Sequence, residues 1–237
     1  MRSHMTVRAF ELAAVDLAQA QMLEPAEHAR AATLLHEVTR RDFLAGRIAQ
    51  RHMASELLQL PPQKLRLGYV CPECGPNPHL SHGQPGYWIA GAPAPLSMSF
   101  SRSHGWGVAA MVSGTDQAMG VDVQQFAQVG FDGFDDVALS LTEKSRIARL
   151  APGARQAWRA TVWARKEALA KLSVMGLRTD PVLIPAFPED EGSMWSGHAV
   201  ELWDIAPAEL GMPAGFAVAV AFSKSPLSAV AGDSARP

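Results

Sequence analysis

Ala118-Met119-Gly120-Val121-Asp122-Val123-Gln124 reads as a β-strand with two unlike faces. Side chains alternate along a strand, so Val121 and Val123 share one face and Asp122 and Gln124 the other. The valine face can pack. The polar face sets two oxygen-bearing side chains beside each other, a pair suited to a hard cation such as Mg2+ that also takes water and phosphate oxygens. An acid near a strand end serves equally as a turn or cap residue, so the strand alone leaves both readings open.

Outward from this strand the chain is punctuated clearly. Gly107–Ser113, an apolar run bounded by glycine and by Ser113-Gly114, is predicted as a buried strand, and Ser97–Arg102 as another. Further back, Pro25 to Leu60 has helical spacing closed by Pro61-Pro62, one long helix or two. Gly68 to Pro95 is rich in Gly, Pro, His and Asn and reads as loop with one short strand at Tyr87–Ile89. Downstream, Thr142 can cap a helix starting at Glu143, and a second helix should run from Arg155 to Ser173. Ala199–Trp203 and Phe216–Phe222 read as strands. Helix then strands thus occurs twice without a sequence repeat. The prediction is a mixed α/β (α+β) fold, a pseudo-dimer of two similar lobes, each a small sheet packed with helices, meeting near Gly114-Asp116. The lobes are placed at 5–114 and 115–223, with a frayed tail at 224–237 and a cloning remnant at 1–4.

With 237 residues, 48% hydrophobic and 19% charged, the chain can bury a sizeable core and should be ordered. Its 21 basic and 23 acidic side chains give a net charge of -2, which supplies no global basic field for a nucleic-acid partner, so any phosphate site must be local. No apolar run reaches membrane-spanning length and no export signal opens the chain, which reads as cytoplasmic. Cys71 and Cys74 are the only cysteines. With His79 and His82 they offer four zinc ligands, although the gap between the pairs is short for a zinc finger; a redox pair or a plain loop also fits.

Glu167 and Lys171 stand four apart on the predicted helix Trp163–Lys171, as a surface ion pair or as a carboxylate and an ammonium facing one phosphate. Arg40, Arg47 and Arg51 fall within about 40° on a helical wheel, flanked by Phe43 and Ile48, as a phosphate clamp or a solvated basic face. Ser103-His104 ahead of the strand Gly107–Ser113 offers a hydroxyl and an imidazole to a phosphate oxygen, or a structural histidine. There is no G-x-S-x-G elbow, and Gly105-Trp106-Gly107-Val108-Ala109-Ala110 mimics a dinucleotide fingerprint without the helix it needs. A non-enzymatic module, with zinc at the Cys/His group and the arginine helix on nucleic acid or phosphoprotein, is the alternative from another class.

In their combination and order these segments resemble the larger, surfactin-synthetase-activating type of phosphopantetheinyl transferase. The matching residues are Arg40 through Arg47 with Arg51, Gly83-Gln84-Pro85, Ser103-His104, Gly120 through Gln124, and Trp163 through Lys171 with Gly176-Leu177. The resemblance implies a monomer that binds coenzyme A and Mg2+ in the cleft between two lobes. It would transfer 4'-phosphopantetheine to a serine of an apo acyl or peptidyl carrier protein and release 3',5'-adenosine bisphosphate. It implies Asp122 and Glu167 at the metal, with Gln124 beside Asp122 on the same strand face, and Lys166 and Lys171 near the pyrophosphate; the candidate base for the serine hydroxyl is Glu167, directly or through a metal-bound water. Arg47, Arg51, Ser103 and His104, with Arg40 in the same segment, would hold coenzyme A. Three positions depart from the family: Gln84 stands for a lysine, Gln124 for a carboxylate and Val174 for a glycine.

Overall fold

The computed structural model describes residues 5–71, 75–77, 84–173, 179–188, 193–195 and 198–225. In chain order the elements are β1 (Met5–Glu11), α1 (Pro25–Ala32), α2 (Glu37–Leu58), β2 (Arg66–Cys71), β3 (Gly75–Asn77), β4 (Gln84–Ile89), β5 (Ala92–Pro93), β6 (Leu96–Ser103), β7 (Trp106–Ser113) and β8 (Ala118–Gln125). They continue with α3 (Phe134–Ala138), α4 (Leu141–Ala148), α5 (Pro152–Leu172), β9 (Met194–Trp195), β10 (His198–Ala199), β11 (Glu201–Ile205) and β12 (Phe216–Ser223).

Two antiparallel sheets, β1-β7-β6 and β8-β12-β11, share one topology. In each, a first strand leads to a long helix, α2 or α5, and then to two antiparallel strands whose second member inserts between the other two. This repeated arrangement is the expected pseudo-dimer, built without sequence identity between the halves. The sheets face each other through Val108, Ala110 and Val112 on one side and Val121, Val123, Val218 and Val220 on the other. Helix α2 covers the outer face of the first sheet, with Met53 and Ala54 against Met98 and Met111. Helix α5 covers the outer face of the second, with Ala160, Ala164 and Ala168 against Ala217, Ala219 and Ala221. Alanine on both surfaces lets that helix lie unusually close to its sheet, which matters for the site below.

The helical stretch after Pro25, read as one helix or two, is two, broken between Ala32 and Glu37. Other elements differ from the sequence reading for identifiable reasons. Helix α4 begins at Leu141, because Ser140 and not Thr142 caps it: Ser140 Oγ accepts from Glu143 N–H, and Glu143 Oε2 accepts from Ser140 N–H. The Gly/Pro-rich stretch expected to be loop forms the sheet β3-β2-β4-β5. Its glycine is a docking place for an aromatic ring: a Cβ on Gly68 would lie 1.9 Å from Trp88 Cδ1, so the bare backbone receives the indole from β4. Strand β1 uses both faces, with Met5, Val7 and Ala9 toward the sheet interface and Phe10 toward α2, which erases the alternation that would betray a strand. Ala199 is spent in the β9–β10 hairpin, so β11 starts at Glu201. Among the described residues no helix is long and apolar enough to cross a membrane. Cys71 closes β2, while Cys74, His79 and His82 of the zinc reading lie outside the described residues, as do Gly83, Val174, Gly176 and Leu177.

Candidate active site

Gly120 decides how the site assembles. A Cβ there would lie 1.8 Å from the carbonyl oxygen of Ala168, so α5 rests its backbone directly on β8. Asp122, two residues along and therefore on the same face, is brought under the last turns of α5, where Glu167 and Lys171 project. Lys171 Nζ donates to Asp122 Oδ1 at 2.7 Å and to the Val121 carbonyl at 3.1 Å. Glu167 stands beside this pair. Burial raises its pKa first, the Asp122 carboxylate raises it further, and Lys171 opposes both. The structure therefore gathers Asp122, Glu167 and Lys171 into one centre of two carboxylates and one ammonium.

Ser101 was not marked in the sequence, and its hydroxyl donates to the same Asp122 Oδ1 at 2.6 Å. It belongs to a ladder. Ser99 Oγ accepts from Val121 N–H at 3.0 Å, and Ser103 Oγ accepts from Gln125 N–H at 3.0 Å. Strands β6 and β8 are edge strands of the two sheets, and serine hydroxyls at every second position of β6 join them. The only sequence signal was the alternation Ser97, Ser99, Ser101, Ser103, polar where a strand face ought to be apolar.

Gln124 turns its amide nitrogen to Gln128 Oε1 at 2.9 Å and to the Gln125 carbonyl at 3.2 Å. Ser103, expected to donate to a phosphate, donates instead to Gln128 Oε1 at 2.6 Å. Lys166 does not join Lys171. Its buried ammonium bonds Glu143 Oε2 at 2.7 Å and the carbonyls of Ala138 at 2.8 Å and Pro181 at 2.9 Å, filling its three donors. Burial lowers its pKa and Glu143 partly restores it.

The arginine stripe divides three ways. Arg51 is fully buried, donating to the Leu65 carbonyl and Glu27 Oε2, each at 2.6 Å. Arg40 is exposed and donates to the Leu34 carbonyl at 3.0 Å. Arg47 lies between: it donates to Tyr69 Oη at 3.0 Å, lies 3.8 Å from Glu27 Oε1, and has its guanidinium 5.3 Å from the Phe43 ring centroid. His104 is exposed at the tip of the β6–β7 turn with φ of 49°, followed by Gly105 at 78°, a two-residue turn with both φ positive.

Among the described residues no group of three or more His, Cys, Asp or Glu could hold a metal ion. Asp122 and Glu167 nevertheless fit a shared hard cation: both are oxygen donors, and the pKa of Glu167 is raised by burial and then by the neighbouring Asp122 carboxylate, a cost that a cation between them relieves. A cleft of about 630 Å3 lined by His198, Glu201, Trp203 and Phe222 lies elsewhere, toward the end of β12 where Ser223 pairs with Ala118, not where Ala219 pairs with Asp122.

Two carboxylates and an ammonium, gathered where a helix backbone meets a strand, make a centre suited to reaction at a phosphate. Residues 118–217 match the family model of the 4'-phosphopantetheinyl transferase superfamily. The matched span runs from β8 through α5 into β12 and contains Asp122, Gln124, Lys166, Glu167 and Lys171. No curated protein matches the chain.

Proposed function

We propose that this chain is a 4'-phosphopantetheinyl transferase of the larger, surfactin-synthetase-activating type, acting as a cytoplasmic monomer with lobes at 5–114 and 115–223. It takes coenzyme A and an apo acyl or peptidyl carrier protein as substrates. The observation that carries the reading is the convergence of Asp122, Glu167 and Lys171 inside the segment that matches the superfamily.

In the proposed reaction the carrier serine oxygen bonds to the β-phosphorus of coenzyme A, and the bond from that phosphorus to the bridging oxygen breaks. The products are phosphopantetheinyl-serine and 3',5'-adenosine bisphosphate. The serine hydroxyl is a poor nucleophile near neutral pH, so its proton must pass to a positioned base. Glu167 suits that role because burial and Asp122 make it more basic than an ordinary carboxylate. Lys171 sits where its charge can shift from Asp122 toward the phosphate oxygens, and Ser101 keeps Asp122 in place when it does. Asp122 and Glu167 would hold Mg2+, with the neutral Gln124 oxygen as a further candidate, and the cation would offset charge on the pyrophosphate.

Arg47 and His104 are the N-terminal-lobe groups proposed to meet coenzyme A directly, with Arg40 at the edge. Arg51 acts from behind through Glu27, which also faces Arg47. Intact-mass measurement of an apo carrier protein after incubation with this protein, coenzyme A and Mg2+ tests the proposal. One added phosphopantetheine is expected; no mass gain with several unrelated carriers, using folded protein, refutes it.

A further inference from the structure

No motif marks Gln128, yet its side chain joins the first lobe to the strand that carries Asp122. It lies in the short 3-10 helix Phe126–Val129 that follows β8. Phe126 and Val129 pack into the core beneath α5, and Phe126 N–H donates to the Gly215 carbonyl at 2.8 Å, so this turn is anchored while Gln128 itself is exposed. The side-chain oxygen of Gln128 accepts twice: from Ser103 Oγ at 2.6 Å, and from Gln124 Nε2 at 2.9 Å.

The neighbours of the two amides dictate which way round each one sits. Gln124 Nε2 also reaches the Gln125 carbonyl at 3.2 Å. A carbonyl oxygen only accepts, so the branch of the Gln124 amide beside it is the NH2 group. Ser103 Oγ accepts from Gln125 N–H at 3.0 Å and sends its own hydrogen to Gln128. Gln128 therefore meets a donor on each side, and its oxygen suits both. With both hydrogens of the Gln124 NH2 group spent on residues 125 and 128, the Gln124 carbonyl oxygen is left on the other branch. Among the described residues that oxygen accepts no hydrogen bond.

Gln124 shares a face of β8 with Asp122, two residues away. An amide differs from a carboxylate at such a place. Either oxygen of a carboxylate can meet a cation, whereas an amide offers one oxygen and, when reversed, two positively polarised hydrogens. A glutamine beside a cation needs something to hold it the right way round. We propose that Gln128 is a positioning residue that holds the Gln124 amide by its nitrogen, so that the oxygen is offered to the cation at Asp122 and Glu167. The inference rests on the proposed use of Mg2+, and adds to it the residue that lets a neutral side chain serve there. Ser103 contributes from the first lobe, because its hydroxyl holds the Gln128 oxygen where Gln124 meets it.

Calorimetric titration of Mg2+ in the presence of saturating coenzyme A tests this, using the parent, Gln128→Ala, Gln128→Glu, Gln124→Ala and the double variant Gln124→Ala with Gln128→Ala. Gln128→Ala should weaken Mg2+ about twofold to tenfold, the effect of losing one orienting hydrogen bond. Gln128→Glu keeps an acceptor for both donors and should bind Mg2+ at least as tightly as the parent. Once Gln124 is alanine nothing is left to orient, so adding Gln128→Ala should change Mg2+ affinity less than about 1.5-fold. Parent-like affinity in Gln128→Ala, or the same loss with Gln124 already removed, overturns the positioning role and leaves the proposed use of Mg2+ standing. A parent protein that binds no Mg2+ with coenzyme A present overturns the metal reading, and the positioning role with it.

Discussion

Replacing Gly120 by alanine puts a methyl carbon 1.8 Å from the Ala168 carbonyl oxygen and 2.8 Å from both the Ala168 carbonyl carbon and the Leu172 nitrogen. All three obstacles are backbone, so no rotamer change relieves them. Ordinary contact begins at 3.4 Å, and α5 must therefore retreat from β8 by about 1.6 Å. In the absence of a clash, a Gly-to-Ala change would stabilise by about 0.4–1 kcal/mol through the unfolded chain. Forcing one methyl into a packed interface costs about 1–3 kcal/mol or more, and here the helix itself must move, so the clash wins. A net loss of about 3 kcal/mol lowers the Tm of a chain this size by about 6–12 °C. The retreating helix carries Glu167 and Lys171, and the contact of Lys171 with Asp122 is 2.7 Å. A misplacement of about 1 Å at reacting groups costs about a hundredfold in rate. Thermal melting and carrier-modification assays on the same sample read both effects. A variant that melts within about 2 °C of the parent and turns over within threefold would refute the idea that backbone contact at Gly120 sets the site.

Glu167→Ala should lower turnover at least about a hundredfold with an unchanged circular-dichroism spectrum, and activity within tenfold of the parent would reject Glu167 as base. Because the pKa of Glu167 is raised in the folded protein, its ionisation opposes folding: stability is lost as pH rises through the folded-state pKa. Glu167→Gln should therefore melt higher than the parent near neutral pH and converge with it in acid, and a gain independent of pH would contradict this. Two carboxylates make a weak site for Mg2+, so calorimetry should show much tighter Mg2+ binding with coenzyme A present than absent; equal affinities would mean the protein supplies a complete site alone.

The Asp122 strand and the Glu167–Lys171 helix were legible because each carries a strong period, two for the strand and four for the helical pair, and their faces follow from it. Period does not report what lies across an interface. Whether Lys166 or Lys171 faced the site depended on the rotation of α5, which Glu143 and the carbonyls of Ala138 and Pro181 fix from distant parts of the chain. Ser101 and Gln128 act through partners on other strands or turns, and no spacing rule marks such contacts. The arginines of α2 looked alike on a helical wheel, yet Glu27 on α1 draws Arg51 inside and leaves Arg47 at the rim. The β2–β5 sheet was hidden because its glycines and prolines mimic a loop until Trp88 is seen lying on Gly68.

The three-way grip on Lys166 has a consequence for how loss-of-function data on this chain should be interpreted. Successive residues on a helix point about 100° apart, so fixing Lys166 against Glu143, Ala138 and Pro181 also fixes the direction in which Glu167 faces. The lysine behaves as a locating key in a shaft. Removing it frees α5 to turn and leaves Glu143 buried without its cation, and either effect would silence the reaction. An inactive Lys166 variant would therefore look like the loss of a substrate-binding cation, although the ammonium is enclosed by Glu143 and the carbonyls of Ala138 and Pro181. Substrate affinity measured alongside turnover separates the two, because a key that slips spoils the rate before it spoils binding.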